Sequence, residues 1–81
     1  MKLTVRYFAS LADLAGTRQE TIETEPGTDV ATLWSALGRR HPRLAALSFR
    51  PMVTRDMEYA DWSDDLDGAA EVAFLPPVSG G

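Results

Sequence analysis

The residues best suited to chemistry lie at the carboxyl end of the chain, where residues 76–81 read Pro-Pro-Val-Ser-Gly-Gly. Two prolines directly after a strand end its hydrogen-bonded pairing and favour an extended backbone, so residues 76–81 are expected to project as a tail. Gly80 and Gly81 have no side chains and accept any backbone angle, so such a tail could enter a channel too narrow for other residues. The reacting group would then be the terminal carboxylate of Gly81.

The alternative for this segment is a frayed end without function. Glycine makes up about 7% of residues in ordinary proteins, so two terminal glycines occur by chance in roughly 0.5% of chains. Gly-Gly alone is therefore a weak indication of function. The context strengthens it, because a predicted strand, a Pro-Pro pair and a short Val-Ser spacer precede the two glycines.

The other residues with chemical potential favour structural roles. His41 is the only histidine, and it precedes a proline with no metal-ligand spacing around it, so it is expected to be a surface residue at a helix end. A cluster of aspartates lacks the glycine and the terminal glutamate of an EF-hand, so a solvated loop is expected for Asp61, Asp64, Asp65 and Asp67. No metal site is predicted, and the absence of cysteine excludes thiol catalysis.

Length and charge restrict the function further. The 81 residues provide one domain with little room for both a core and a deep cleft, which disfavours an enzyme acting alone. The net charge of -4 disfavours nucleic acid as a partner, and without cysteines or a long apolar run we expect a cytoplasmic protein with no membrane association. Residues 56–81 carry seven acids and no base, so a basic partner could bind this acidic third.

Hydrophobic periodicity predicts the elements that would position the tail. Residues 2–9 alternate in the pattern of a half-buried strand. Residues 10–16 read as a loop or short helical turn that ends at its glycine. Residues 20–25 form a second strand that is expected to pair antiparallel with the first, with Pro26-Gly27 closing the hairpin.

The most secure element is a helix that begins after Asp29, a good N-cap residue. An apolar stripe at the spacing i, i+3, i+4 and i+7 follows, and it comprises Val30, Leu33, Trp34 and Leu37. The helix is expected to end before His41-Pro42, because proline disfavours helical geometry in the residue before it. Later strands are predicted over residues 52–55, 57–60 and 71–75, the first two around a turn at Asp56.

This element order predicts an α+β fold. Two strands, a crossing helix and further strands match the β-grasp, or ubiquitin-like, arrangement: a mixed sheet of four to five strands packed on one main helix, with the first and last strands parallel neighbours. Residues 1–75 would form the domain and residues 76–81 the tail. Trp62 is expected to be a partly covered loop anchor. The predicted core comprises Leu3, Val5, Ile22, Val30, Leu33, Leu37, Val72 and Phe74.

Strand alternation also places large apolar side chains on polar faces. Phe8 and Leu75 both emerge among polar neighbours, on strands that are expected to lie side by side. Tyr59, at the end of a short strand, could join them. We therefore expect a docking surface for a partner near the start of the tail. If the protein's own loops cover these side chains, they belong to the core instead.

Two segments carry a resemblance to a known family. Residues 5–9 read Val-Arg-Tyr-Phe-Ala and precede Ala15-Gly16-Thr17, and residues 71–81 read Glu-Val-Ala-Phe-Leu-Pro-Pro-Val-Ser-Gly-Gly. With these motifs the whole chain resembles the MoaD-like small subunits of molybdopterin synthase, sulfur carriers related to the thiamine-pathway carrier. It departs from the usual pattern in having Asp56 where Asn is common, and Gly-Ala-Ala at residues 68–70 where Asp-Gly-Asp is common.

The resemblance implies a carrier cycle centred on Gly81. A ubiquitin-activating-like adenylyltransferase would use ATP to adenylate the Gly81 carboxylate, and a sulfur donor would convert the acyl-adenylate to a thiocarboxylate. The large subunit of molybdopterin synthase would then use that sulfur to form the dithiolene of molybdopterin. An ionised carboxylate is a poor electrophile, so it needs a leaving group before sulfur can be added. The chain itself would bind no cofactor, and the catalytic side chains would belong to its partners.

The predicted site therefore consists of the tail and the surface around its start. Gly80 and Gly81 are expected to form the reacting end. Contacts with partners are expected from Phe8, Tyr59, Leu75, Pro76, Pro77, Val78 and Ser79. Three other functions stay open: a thiamine-type sulfur carrier, a ubiquitin-like protein modifier and a non-covalent β-grasp binding module. The first two would also use Gly81, whereas the third would leave it unmodified.

Overall fold

The structure is a computed structural model that describes residues 1–77. Its elements in chain order are β1 (Lys2–Tyr7), α1 (Ser10–Ala15), β2 (Gln19–Glu23), α2 (Val30–Arg40), α3 (Pro42–Ala45), β3 (Met52–Arg55), β4 (Glu58–Tyr59) and β5 (Glu71–Leu75). Within this part of the chain no helix has the length and apolar composition needed to cross a membrane. The predicted α+β class is confirmed.

The five strands form one mixed sheet in the order β2-β1-β5-β3-β4. The first and last strands are parallel neighbours, as the β-grasp prediction requires: Val5 pairs with Val72, and Tyr7 pairs with Phe74. The other neighbouring strands in the sheet pair antiparallel. Because β1 and β5 run in the same direction, they end at the same edge of the sheet, and the chain leaves β5 toward residue 76 at this edge.

The main helix, α2, begins as the sequence predicts. Asp29 has an extended backbone, and its side-chain Oδ1 accepts a hydrogen bond from the Thr32 N–H at 2.8 Å, which satisfies one of the free donors of the first turn. Arg39 and Arg40 occupy the last turn, where positive charge is favourable beside the carbonyl end of the helix dipole. The helix ends at Arg40, before the proline.

The core lies between the sheet and α2. Of the eight residues predicted for it, the buried ones are Leu3, Val5, Val30, Leu33, Leu37, Val72 and Phe74. Ile22 is only half-buried, because β2 is an edge strand with a neighbour on one side alone. The sequence prediction missed Leu11, Leu44 and Leu66, which are also fully buried. These leucines lie in short segments without a long periodic pattern, so periodicity could not reveal them.

The prediction that Pro26-Gly27 closes the first hairpin is wrong. Residues 8–18 join β1 to β2, and they include α1, whereas Pro26-Gly27 follows β2 and leads toward α2. The first strand ends at Tyr7, not at residue 9, because Ala9 adopts a positive φ of 52° that is incompatible with an extended strand. The helix after it ends at Gly16, whose φ of 75° suits glycine and whose N–H donates to the Ala12 carbonyl at 2.9 Å.

The turn predicted at Asp56 is confirmed, and it is longer than expected. Both Asp56 and Met57 have positive φ, so Met57 belongs to the turn and β4 is shorter than the predicted strand over residues 57–60. Asp56 also anchors the start of β5, since its Oδ1 accepts hydrogen bonds from the N–H groups of Ala70 and Glu71, both at 3.0 Å. Asp tolerates left-handed geometry, so it serves this turn as Asn would.

Candidate functional site

The described part of the predicted site is the edge of the sheet where β1 and β5 end. Beyond the Tyr7–Phe74 pair, the Phe8 N–H donates to the Phe74 carbonyl at 3.1 Å. This bond brings Phe8 beside the end of β5, where the chain continues into Pro76 and Pro77. The predicted residues Val78, Ser79, Gly80 and Gly81 lie outside the described residues.

Phe8 and Tyr59 are exposed on the outer face of the sheet, as expected. Their side chains are 39% and 73% exposed, whereas Leu75 is half-buried. The structure brings Phe8 and Leu75 together at the ends of adjacent strands. Tyr59 is farther away: it pairs with Thr54 on β3, and β3 separates it from β5. We call Phe8, Leu75 and Tyr59 the outer apolar face.

Arg6 accompanies Phe8 on this face. Its guanidinium carbon lies 5.3 Å from the centroid of the Phe8 ring, which is within cation–π range. Its Nη1 lies 3.5 Å from Glu71 Oε1, and the side chain is 45% exposed, so this ion pair contributes little stability. The guanidinium of Arg6 therefore remains accessible to a partner.

Sequence reasoning missed a polar cluster that surrounds the Glu20 carboxylate beside the Tyr7 end of β1. Glu20 on β2 accepts a hydrogen bond from the Tyr7 hydroxyl at 2.6 Å and lies 2.6 Å from His41 Nε2 through the same carboxylate oxygen. Its other oxygen lies 2.9 Å from Arg40 Nε. His41 lies at the end of α2, as predicted, but the prediction that it is a surface residue is wrong, because it is half-buried and joins the end of α2 to the sheet. No local spacing reveals the cluster, because its members come from three elements.

The environment of Glu20 keeps its carboxylate ionised. Burial alone would raise its pKa, but the hydrogen bonds from Tyr7 and His41 and the positive charge of Arg40 outweigh burial and hold the pKa of Glu20 below its ordinary value of 4.5. Burial, followed by the hydrogen bond to this carboxylate, raises the pKa of Tyr7 far above its ordinary value. The cluster is thus a neutral phenol and a carboxylate that join β1, β2 and α2.

We expect Glu20→Ala to destabilise the fold by about 1–3 kcal/mol, because it leaves the buried Tyr7 hydroxyl without its acceptor. Glu20→Gln keeps an acceptor and should cost less.

Since the pKa of Glu20 is lower in the folded state, its charge stabilises the fold at neutral pH, and this contribution disappears as the pH falls through the folded-state pKa. Urea titrations of parent and Glu20→Gln should therefore converge below pH 4.5. A difference that is constant with pH would contradict this assignment.

Three aspartates of the loop before β5 accept hydrogen bonds from backbone N–H groups. Asp64 Oδ2 accepts from the Asp61 N–H at 2.9 Å, and Asp65 Oδ1 accepts from the Asp67 N–H at 3.1 Å. Asp67 Oδ1 accepts from the Gly27 N–H at 2.8 Å and thereby ties the loop to the chain before α2. Residues 1–77 contain no group of three or more His, Cys, Asp or Glu side chains able to hold a metal ion.

The two tryptophans form an aromatic group with Phe74. Trp34 and Trp62 are T-shaped with ring centroids 5.8 Å apart, and Trp34 lies 4.8 Å from the buried Phe74 ring. Trp62 is a partly covered loop anchor, with the Arg50 guanidinium 4.3 Å above its ring. Trp34 belongs to the apolar stripe of α2 and is half-buried, because it packs against the margin of the core.

Comparison with known proteins agrees with this arrangement. The chain is 34% identical to the molybdopterin synthase sulfur carrier subunit of Homo sapiens, and the match covers 99% of this chain and 94% of the relative. It is also 34% identical to the protein of the same name from Mycobacterium tuberculosis, over 100% and 99% of the two chains. Among solved structures, SAMP1 from Haloferax volcanii superposes with a TM-score of 0.84 at 29% identity, over the full length of both chains.

These similarities confirm the predicted relationship. The matches span 94% or more of both relatives at 34% identity, and the structural similarity confirms the ubiquitin-like β-grasp. The family model that matches is that of the ThiS family, and it covers residues 5–81, from the first strand through the Gly-Gly end. The chain therefore belongs to the ThiS family.

Proposed function

We propose that this chain is the sulfur-carrier subunit of a molybdopterin synthase and that it carries sulfur on the carboxylate of Gly81. The observation that carries the proposal is full-length similarity at 34% identity to two proteins named molybdopterin synthase sulfur carrier subunit. The Gly-Gly end after a Pro-Pro pair supports it, because it supplies a narrow segment with a free carboxylate. Residues 1–75 act as the body and residues 76–81 as the tail.

The chemistry needs an activated carboxylate. A carboxylate oxygen of Gly81 attacks the α-phosphorus of ATP on an activating adenylyltransferase, and pyrophosphate leaves. A hydrosulfide-level sulfur nucleophile from a donor then attacks the acyl carbon and displaces AMP, so the product is a thiocarboxylate with no change in redox state. Sulfur is softer and more nucleophilic than the oxygen it replaces, which suits its transfer to the substrate on the large subunit. The described residues contribute binding to this cycle, not catalysis.

The outer apolar face is the proposed docking surface for the large subunit. Exposed aromatic side chains beside a reactive tail fit the centre of a protein interface, where buried aromatic residues contribute most of the affinity. Phe8 and Leu75 lie beside the start of the tail, and Tyr59 extends the face across β3. The proposed contacts continue along the tail through Pro76, Pro77, Val78 and Ser79.

The intact mass of the protein from its native cells tests the function. Replacement of one carboxylate oxygen by sulfur should raise the mass by the difference between these atoms, and the gain should disappear when Gly81 is deleted. A population with no sulfur in cells that make molybdopterin would refute the carrier. A covalent conjugate with an amine of another protein would instead identify a ubiquitin-like modifier, and an unmodified chain bound to a partner would identify a binding module.

We expect Phe8→Asp to weaken binding to the large subunit by at least about 2 kcal/mol, or roughly 30-fold, because it places a charge in the apolar centre of the interface. The free energy of unfolding should change by less than about 1 kcal/mol, since the side chain is 39% exposed. Titration calorimetry measures the first quantity and urea denaturation the second.

The matched control for this substitution is Met57→Asp. Met57 is 86% exposed and lies in the β3–β4 turn beside the start of β5, whereas Phe8 lies beside the end of β5. Its replacement should leave the affinity for the large subunit unchanged. A large loss of stability in Phe8→Asp, or equal losses of affinity in both variants, would show that the outer apolar face is not the docking surface.

A further inference from the structure

A charged cleft lies beside the start of the tail, next to the outer apolar face. It has a volume of about 390 Å³ and is lined by Arg6, Tyr7, Phe8, Ala9, Asp13 and Arg18. The hydrogen bond from the Phe8 N–H to the Phe74 carbonyl places this lining against the end of β5. The cleft therefore lies beside the point where the chain leaves the sheet toward residue 76.

Arginines collect at this edge although the whole chain has a net charge of -4. The Arg18 carbonyl accepts from the Tyr7 N–H at 2.9 Å, so Arg18 lies at the end of β1. Arg43 Nη1 approaches the Asp13 carbonyl at 3.4 Å, and Arg40 binds Glu20. Three acids lie among these arginines: Asp13 in the cleft lining, Glu20 beside Arg40 and Glu71 beside Arg6. Four arginines therefore outnumber three carboxylates at this edge of an acidic protein.

Arg6 and Arg18 use few of their guanidinium N–H donors within residues 1–77. Arg6 makes one ion pair, at the long distance of 3.5 Å, and is 45% exposed. Arg18 is exposed and forms no ion pair with any residue in the range 1–77. Each guanidinium presents planar pairs of N–H donors that match a carboxylate in a bidentate arrangement. The cleft thus offers positive charge and directed donors that the side chains of residues 1–77 leave largely unused.

The backbone at the cleft supplies a second, independent observation. Ala9 lines it with φ 52° and ψ -130°, a combination that strongly favours glycine because the Cβ atom crowds the backbone. Strained residues of this kind concentrate at binding sites, where the surrounding structure holds them in place. Here the strained residue lies between Phe8 and α1, in the lining of the cleft.

We propose that the cleft between Arg6 and Arg18 receives a carboxylate side chain of the large subunit, at the mouth of the channel that takes up the tail. The inference rests on the proposed function, and it specifies the partner's chemistry: an acidic residue beside an apolar patch that covers Phe8. The pair fixes the direction from which the tail enters, because a bidentate ion pair restrains orientation as well as distance. Attraction between the cleft arginines and this carboxylate speeds association, although the acidic loops elsewhere on the chain repel negative groups of the partner.

The test compares Arg18→Glu with Arg39→Glu, which makes the same change in net charge at an exposed position of α2 outside the cleft. Arg18→Glu should weaken binding to the cognate large subunit by about tenfold or more and slow association most at low salt, whereas Arg39→Glu should change the affinity by less than about twofold. Arg18→Lys should give an intermediate loss, because it keeps the charge and loses the fork. Melting temperatures should match the parent.

A charge-reversal scan of the large subunit completes the experiment. One Asp→Lys or Glu→Lys change in the large subunit should restore binding of Arg18→Glu and weaken binding of the parent. Equal effects of Arg18→Glu and Arg39→Glu would overturn the inference while leaving the proposed function intact. Binding of inorganic phosphate in the cleft, with no effect of Arg18→Glu on association, would also overturn it. A parent chain that fails to bind the large subunit would refute the proposed function and the inference together.

Discussion

Deletion of Gly81 is expected to reduce activation of the carboxylate by at least about 100-fold. It withdraws the carboxylate by up to about 3.6 Å in an extended chain, and misplacement of a reacting group by about 1 Å can already cost that factor. Adding one residue after Gly81 should be equally damaging, because it converts the reacting carboxylate into a peptide carbonyl. Neither change touches the core, so circular dichroism spectra and melting temperatures should match those of the parent.

The measurement is ATP–pyrophosphate exchange with the cognate activating enzyme. A third chain lacks Gly81 but repeats Ser79, which restores the length of the tail with glycine at its end and serine before it. It should recover part of the activity if reach dominates, and little if the narrow Gly-Gly segment is required. Adenylation of the deleted or extended chain at the rate of the parent would show that the carboxylate of Gly81 is not the reacting group.

Truncation of the core at Phe74 should have the largest effect on stability. Phe74→Ala is expected to cost about 3–5 kcal/mol and Leu33→Ala about 2–5 kcal/mol, because both side chains are fully buried between the sheet and α2. A domain of this size has a total stability of only about 4–12 kcal/mol. The Phe74 variant also loses its contacts with the rings of Trp34 and Trp62, at 4.8 and 6.1 Å, so tryptophan fluorescence should change even before unfolding.

Urea titration provides these values, and Met57→Ala is the control, since Met57 is 86% exposed. The control should shift the free energy of unfolding by no more than about 0.5 kcal/mol. If Phe74→Ala and Leu33→Ala each cost well below 1 kcal/mol, the packing of α2 on the sheet described above is incorrect.

The elements with strong local signals were predictable from the sequence. Asp29 and the apolar stripe after it define α2, and the run of apolar residues before Pro76 defines β5, because caps and periodicity depend on neighbours in sequence. The hydrogen-bonded cluster around Glu20 was not predictable. Its members lie in β1, β2 and at the end of α2, so only the folded sheet brings them together. Nothing in the sequence around His41 indicates that it contacts Glu20.

In the candidate site, too, local sequence patterns predicted some features and missed those that depend on the folded chain. Alternation along β1 predicted that Phe8 emerges among polar side chains, and Phe8 is 39% exposed, whereas Leu75, predicted in the same way, is half-buried. The cleft at Arg18 was missed because it depends on the positive φ of Ala9 and on how α1 returns the chain to β2. The reacting end at Gly80 and Gly81 is inferred from the Gly-Gly motif and the Pro-Pro pair before it, and it stays a prediction.

The parallel pairing of β1 with β5 has a consequence for how the protein is made. β5 is translated last among the strands, and at about 5–20 residues per second it follows β1 by several seconds. Until then β1 and β2 can pair only with each other, and an isolated hairpin is marginally stable in water. The inward-facing side chains of Leu3 and Val5 therefore remain exposed on the nascent chain. The domain can complete its fold only after β5 has been synthesised, so the folded body and the proposed reacting end become available to a partner together.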